Sequence, residues 1–271
     1  MVLHPIDSPN SKERRDVPQT IIPAWEAVER KQKQTAQEWW LIAQPDHAAL
    51  SGDLAALVDT PLIPELDDSI LHAISVHDSG WARFDGGERG TGRDLEARLH
   101  DPRVDANGRP LSFLQIAAAD FVIAWEESIQ KASEFSQVGG FMVSEHFCRL
   151  ARSRLETRRD PPPDQQRLTD LLAHESKRRA ELQIKELRLE EQLALLTDVL
   201  QFCDLLSLYL CSGADDTVEF PQSFGERSIT IKKENGIYQL SPQLFPEGAS
   251  LGVTARRFPH WEVGTLAFLI Q

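Results

Sequence analysis

Basic charge is scarce in this chain. Its 271 residues hold 29 Lys and Arg against 42 Asp and Glu, a formal net charge of −13. That balance argues against a nucleic acid or an anionic membrane as main partner, because both are gripped by clustered cations. A phosphate bound locally stays compatible with it. Cysteine is scarcer still: Cys148, Cys203 and Cys211 are odd in number, sit in apolar helical patterns and show no metal-type pair spacing. A disulfide framework and a thiolate metal site are thereby disfavoured, and the three read as reduced core residues of a cytoplasmic protein. There is no glycine-rich phosphate loop, no internal repeat and no charge-free run of about 18 residues that would suggest a membrane span. The opening M-V-L-H-P-I-D-S-P-N-S-K-E-R-R-D lacks an apolar stretch long enough for a signal peptide.

What is present is a chain long enough to bury a sizeable core in one or two domains. Residues 1–20 hold three prolines among charged and small residues and read as a flexible arm. From Ile21 to Gln44 the pattern admits a helix over Ala24 to Lys33, while Trp39 to Ile42 read equally well as a short buried strand, and Pro45 breaks whatever precedes it. Asp46 is placed to cap a helix over His47 to Val58, whose inward stripe is His47, Leu50, Leu54 and Leu57. A second helix, capped by Asp67 or Asp68, carries Ile70 and Ile74 on the face that also bears His77 and Asp78. Gly80 stands at the left-handed position that ends helices. A long Gly, Arg and Asp-rich stretch follows, from Arg83 to Arg109, with a turn at Asn107 and Gly108.

Leu111 to Phe135 resumes a helical pattern. Gly139 and Gly140 separate it from another helix, in which Met142, Val143, His146 and Leu150 lie together. Beyond Pro161 to Pro163, residues from Gln165 to about Cys211 form one long helix or two in series, charged first and then apolar. In V-L-Q-F-C-D-L-L-S-L-Y-L-C, Asp204 is the single acid, and an isolated carboxylate there costs roughly several kcal/mol unless it finds a partner. After Gly213 the pattern alternates: Ile229 and Ile231 share a face, Asn235 and Gly236 make a hairpin turn, Gly252 to Phe258 adds a strand, and Trp261 to Ile270 reads as a short terminal helix.

Any one of His47, His77 or His146 alone reads as a satisfied core histidine, and Asp204 alone as a helix cap or the partner of an arginine. Together they stand on the inward faces of separate helices. Imidazole mixed with carboxylate suits Fe, Mn, Co or Zn, and the adjacent His77 and Asp78 allow a carboxylate to bridge two ions. His4, His72, His100 and His260 read as surface or loop residues. Arg83, Arg93 and Arg109 are the basic groups nearest in sequence to the proposed site and are candidates to meet an anionic substrate. Trp81 reads as packing, with substrate stacking as the alternative.

The order H, then HD, then a later D resembles the HD-domain superfamily of all-helical, metal-dependent phosphohydrolases. The stretches Q-P-D-H-A-A-L-S-G, H-D-S-G-W, G-R-P-L-S-F, S-E-H-F and D-L-L-S-L-Y-L-C are similar to an uncharacterised bacterial family, a domain of unknown function. The resemblance implies that His47, His77, Asp78 and Asp204 ligate one or two divalent metals, with His146 as an added ligand. Binuclear HD members supply two further histidines, and here only His146 is well placed; His174 is a poor second. The implied fold is mainly α: an HD-like helical bundle over 21–212, with a small antiparallel β element and terminal helix over 213–271 packed on the same domain. The expected activity is hydrolysis of a small phosphorylated molecule or nucleotide, with Asp78 binding metal and orienting the attacking water; a homo-oligomer is compatible. The alternatives are a di-iron oxygenase of the myo-inositol oxygenase type and a non-catalytic helical interaction module.

Overall fold

The computed structural model describes residues 1–6, 20–86, 100–157, 160–181 and 187–271. Strand β1 (Val2–Pro5) and the two-residue β2 (Ile22–Pro23) lead to helix α1 (Ala24–Lys33), strand β3 (Trp39–Ile42) and helix α2 (Gln44–Leu57). Helix α3 (Asp68–Val76) is followed by a 3-10 turn over Ser79–Trp81 and the single turn α4 (Ala82–Asp85). Then come α5 (Ala118–Phe135), α6 (Gln137–Thr157), α7 (Pro162–Glu181) and α8 (Leu187–Cys211). Strands β4 (Val218–Phe224), β5 (Arg227–Glu234), β6 (Ile237–Ser241), β7 (Ala249–Phe258) and β8 (Val263–Ile270) complete the chain.

These strands form one curled sheet in the order β1-β3-β7-β8-β6-β5-β4-β2, parallel at β2–β4 and β6–β8 and antiparallel elsewhere. The expectation of a mainly helical bundle with a small β element is therefore wrong; this is an α/β body. Three features hid the sheet. Strands β1, β2 and β3 have four, two and four residues, too few to display a period of two. They are also remote in sequence from the strands they join, β3 pairing with β7 and β2 with β4. The C-terminal stretch read as a helix is β8, hydrogen-bonded along its length to β7 from Val263 to Ile270. Its burial alternates at Phe268 and Ile270, but the outward Ala267 and Leu269 are apolar too, which conceals the alternation. The arm assigned to residues 1–20 is likewise corrected at its start: Met1, Val2 and Leu3 are buried and β1 is an edge strand. Residues 7–19 lie outside the described residues. His4, expected at the surface, is half-buried, its Nδ1 3.0 Å from the Cys211 carbonyl, and burial holds its pKa down at about 4.

A large apolar core runs through helices and sheet together, with a smaller cluster of Met1, Leu3, Trp39 and Leu41 beside it. Its axis is α8, in which Leu196, Val199, Leu200, Phe202, Cys203, Leu206, Tyr209 and Leu210 are all buried. A helix apolar all round belongs inside a protein or a bilayer. Among the described residues Gln192–Cys211 is long and apolar enough to cross a membrane, yet 72% of that window is covered by the rest of the chain. The three cysteines are free and buried in this interior.

Local chemistry sets where α3 begins and how its far end is held. Asp67 caps it, its carboxylate accepting from the Ser69 and Ile70 amides at 2.9 and 3.0 Å. Gly80 does not terminate the helix in the left-handed region; it lies in the 3-10 turn, where a Cβ would fall 2.0 Å from the Ala124 carbonyl oxygen on α5. Its amide donates to Ser128 Oγ at 2.9 Å. Glycine is needed there because two backbones meet. Gly139 and Gly140 are not a separator either: they lie in the first turn of α6, where a Cβ would meet Ala73 Cβ at 2.9 Å and Ser133 Oγ at 2.0 Å.

Gly80→Ala is expected to destabilise the protein by about 2 kcal/mol, because the added methyl group meets backbone that cannot swing aside. Urea unfolding measures this, and an unchanged midpoint would contradict the packing of the 79–81 turn on α5.

Candidate functional site

Four separate parts of the fold place the five inward polar side chains. The first turn of α2 carries His47, with Pro45 supplying the pre-set φ of a helix start. The C-terminal end of α3 carries His77, and Asp78 follows where the helix gives way to the 3-10 turn. The middle of α6 carries His146, and α8 carries Asp204. Each hydrophobic pattern buries its polar member with its apolar neighbours: His47 and His77 are 0% exposed and His146 2%.

The five converge. Asp204 Oδ1 lies 3.1 Å from His47 Nε2 and 3.2 Å from His77 Nε2. Asp78 Oδ2 is 3.7 and 3.9 Å from the same two nitrogens, and His146 Nε2 is 3.8 Å from Asp204 Oδ2. The His77 ring stands edge-on to both His47 and His146, with centroids 5.4 and 5.5 Å apart. His47 Nδ1 is 2.6 Å from the Gln44 carbonyl and His77 Nδ1 2.8 Å from the Ile74 carbonyl. A carbonyl only accepts, so both Nδ1 atoms donate, and both Nε2 atoms are turned toward the carboxylates. Such an Nε2 either carries a second proton, as imidazolium, or offers its lone pair to a cation.

The electrostatics follow from this crowding. For Asp204, burial alone would raise the carboxyl, but hydrogen bonds from His47 and His77 and the charge of His77 hold it far below the usual carboxylate range. Burial likewise works against a charged His77, yet the hydrogen bond and charge of Asp204, with Asp78 beside it, raise its pKa to about 9. Burial pushes Asp78 up, against the pull of His77 and His47. His146 is lowered to about 3, chiefly by burial, with His77 and the Arg149 guanidinium adding to the effect. It is a neutral imidazole at any physiological pH.

The donor set suits a divalent cation. His47, His77 and Asp78 form one group of ligand atoms mutually within 4.8 Å, and His77, His146 and Asp204 form another. With ligand bonds of about 2.0–2.2 Å, neighbouring ligand atoms stand roughly 3.0–3.5 Å apart, close to the shortest of the separations above. Nδ1–H donation to a backbone carbonyl is also how ligating histidines are commonly oriented. Two atoms of the set, Asp78 Oδ1 and His146 Nδ1, are buried without a hydrogen-bond partner among the described residues, as are the nearby Ser79 Oγ and Gln44 Oε1. Buried polar atoms rarely stay unpaired.

The structure brings together every residue expected to hold metal, but not those expected to bind substrate. Arg83 is exposed and paired with Glu127 at 2.5 Å. Arg109 spends Nη2 on the Gln32 and Gln34 carbonyls at 3.2 and 2.8 Å, which ties the turn after Val104 to the end of α1. Arg93 lies outside the described residues. Trp81 is buried against Phe84, with ring centroids 6.0 Å apart, and lines a small cavity with Phe84, Asp85 and Arg103. Two residues near the set went unnoticed in the sequence. Asp85 is buried, accepts from the Gln44 amide at 3.2 Å and adds its charge to the field at Asp78. Arg149 sits three residues after His146 on the same helix, a spacing that shares a face.

Comparison with known proteins places this chain in the family described as "Protein of unknown function (DUF3891)", whose model matches residues 32–257; the chain belongs to that family. No curated protein and no solved structure matches it. The HD-domain superfamily is not among the matches.

The raised His77 has a sign that can be tested. A histidine whose folded pKa lies above its unfolded value of 6.5 contributes stability that is complete below 6.5 and is lost as pH climbs through about 9. A cation on Nε2 replaces that proton. The rise in Tm on adding Mn²⁺ or Zn²⁺ to chelator-treated protein is therefore expected to grow between pH 6.5 and about 9. Thermal melts across that range check it, and an increment that shrinks with rising pH would remove His77 from the ligand set.

Proposed function

We propose that this chain is a divalent-cation-dependent hydrolase of a small phosphorylated molecule such as a nucleotide, working in the cytoplasm. The reading is carried by the meeting of three imidazoles and two carboxylates from four parts of the fold, with both His47 and His77 presenting Nε2 to Asp204. The order of these residues along the chain matches the ligand order of HD-superfamily phosphohydrolases. That likeness is one of ligand set; the body around it contains an eight-stranded sheet.

His77 belongs to both groups of donors, and with Nδ1 committed to Ile74 it has one nitrogen to give. We therefore read the site as holding one ion, of Fe, Mn, Co or Zn, rather than two. A single ion weighs against the paired irons of an oxygenase. When bound, the cation supplies Lewis acidity, polarising a phosphoryl oxygen and bringing the pKa of adjacent water toward neutrality.

The chain's own residues do the rest. The Gln44 and Ile74 carbonyls lock the His47 and His77 rings in one tautomer, so that neither has to reorient to bind. His146, kept neutral by burial, adds a nitrogen ligand without adding charge. Asp78 Oδ1 has no partner among the described residues and is free to accept a proton from the attacking water; the burial that raises Asp78 makes it the better base. The apolar wall that includes Ile74 and Phe147 keeps bulk water away from these charges.

Elemental analysis of protein purified without chelators is expected to find about one divalent ion per chain, and His47→Ala and Asp204→Ala to lose it, each loosening affinity by at least about tenfold. The loaded wild type should turn over members of a panel of small phosphoesters, and Asp78→Asn should lower kcat by about 10² or more. Full cation occupancy with no phosphoester turnover would refute the hydrolase reading. Wild type without any ion would leave the buried network a structural one.

A further inference from the structure

An acidic chain that acts on an anion needs local positive charge, and Arg83 and Arg109 are engaged elsewhere. The helix seam that carries His146 and Asp204 supplies another. Along it, His146 on α6 faces Asp204 on α8, while Arg149, one turn further on, faces Gln201 and Asp198. Arg149 Nη1 donates to Gln201 Oε1 at 2.8 Å and Asp198 Oδ1 at 2.5 Å, and Nε donates to Glu145 Oε1 at 3.2 Å. These contacts run antiparallel along the two helices, residues 146 and 149 meeting 204 and then 201 and 198. The guanidinium therefore lies in the layer adjoining the cation ligands.

Arg149 is held but not used up. Three acceptors fix Nε and Nη1, whereas Nη2 has no partner among the described residues, and the side chain is 29% exposed. Nor is its charge fully cancelled. Glu145 is shared with Arg152 and Arg179, so three guanidinium groups face the two carboxylates of Glu145 and Asp198. A guanidinium whose orientation is already fixed loses little entropy on meeting an anion, and its planar N–H groups suit phosphoryl oxygens.

We propose that Arg149 is the anion-recognition residue of the site, with Nη2 receiving an oxygen of the substrate's phosphoryl group while the group's other end lies at the cation ligands. The inference rests on the hydrolase reading and names the residue that makes that site select a phosphorylated substrate. Arg149 touches substrate and not the cation, so its loss separates anion binding from cation binding.

The test uses full-length protein loaded with Mn²⁺ and inorganic phosphate as the probe. Arg149→Gln is expected to keep its cation stoichiometry and to weaken phosphate binding by at least about tenfold, followed by phosphorus NMR line broadening. Should that variant fail to fold, wild type gives the answer: an arginine-specific dicarbonyl reagent, mapped by mass spectrometry, should modify Arg149 more slowly in the presence of phosphate. Arg152, which shares Glu145 but lies a turn further from His146, is the internal reference and should react equally in both. Loaded wild type that binds phosphate while Arg149 reacts at the same rate with and without it overturns this assignment alone. Wild type that takes up no cation overturns the hydrolase reading and this inference with it.

Discussion

Asp204 is a carboxylate among the buried apolar side chains of α8, and its neutralisation constrains the surrounding fold. A charge in that setting is tolerable only if several groups donate to it at once. The donors cannot come from α8 itself, whose neighbouring turns present Leu200 and Leu208. They come from α2 and from the end of α3, whose imidazoles stand 3.1 and 3.2 Å from one carboxylate oxygen. Three helical segments are thereby pinned at one point. A second pin lies one turn away, where Ser51 Oγ donates to Ser207 Oγ at 2.8 Å between α2 and α8. The Arg149 contacts to Gln201 and Asp198 form a third, between α6 and α8.

The sheet contributes by aiming the helices rather than by supplying ligands. Strand β3 ends at Ile42, and α2 begins two residues later, so the pairing of β3 with β1 and β7 sets where the His47 turn enters the core. The start of α2 is steadied by Asp85, which accepts from the Gln44 amide. On the other side, Gly80 allows the turn after His77 to lie directly on α5, which fixes where Asp78 points. Catalytic or binding geometry held by secondary structure of this kind is more rigid than geometry held by loops.

Legibility in the sequence depended on whether a signal was local. The inward placement of His47, His77, His146 and Asp204 could be read because each shares a helical period with apolar neighbours, and that period belongs to the segment alone. The Asn235 and Gly236 turn was readable for the same reason: both take positive φ, 51° and 84°, which those residue types tolerate. For the arginines, nearness along the chain says little about nearness in space. Arg83 and Arg109 follow the His77 and Asp78 pair closely yet turn to Glu127 and to main-chain carbonyls, whereas Arg149 is 71 residues beyond Asp78 and lies on the helix that carries His146, one turn on.

By itself, then, the amino-acid order determined which faces of the helices around His47, His77, His146 and Asp204 turn inward and which polar groups had to be satisfied inside, since burial and periodicity are properties of short segments. Only the tertiary structure decided that eight strands drawn from both ends of the chain close into one sheet. It also decided that Gly80, Gly139 and Gly140 serve helix contacts and that Arg149 joins α6 to α8 through Gln201 and Asp198. Pairing between remote strands and between helix seams is a long-range energy, and no local period encodes it.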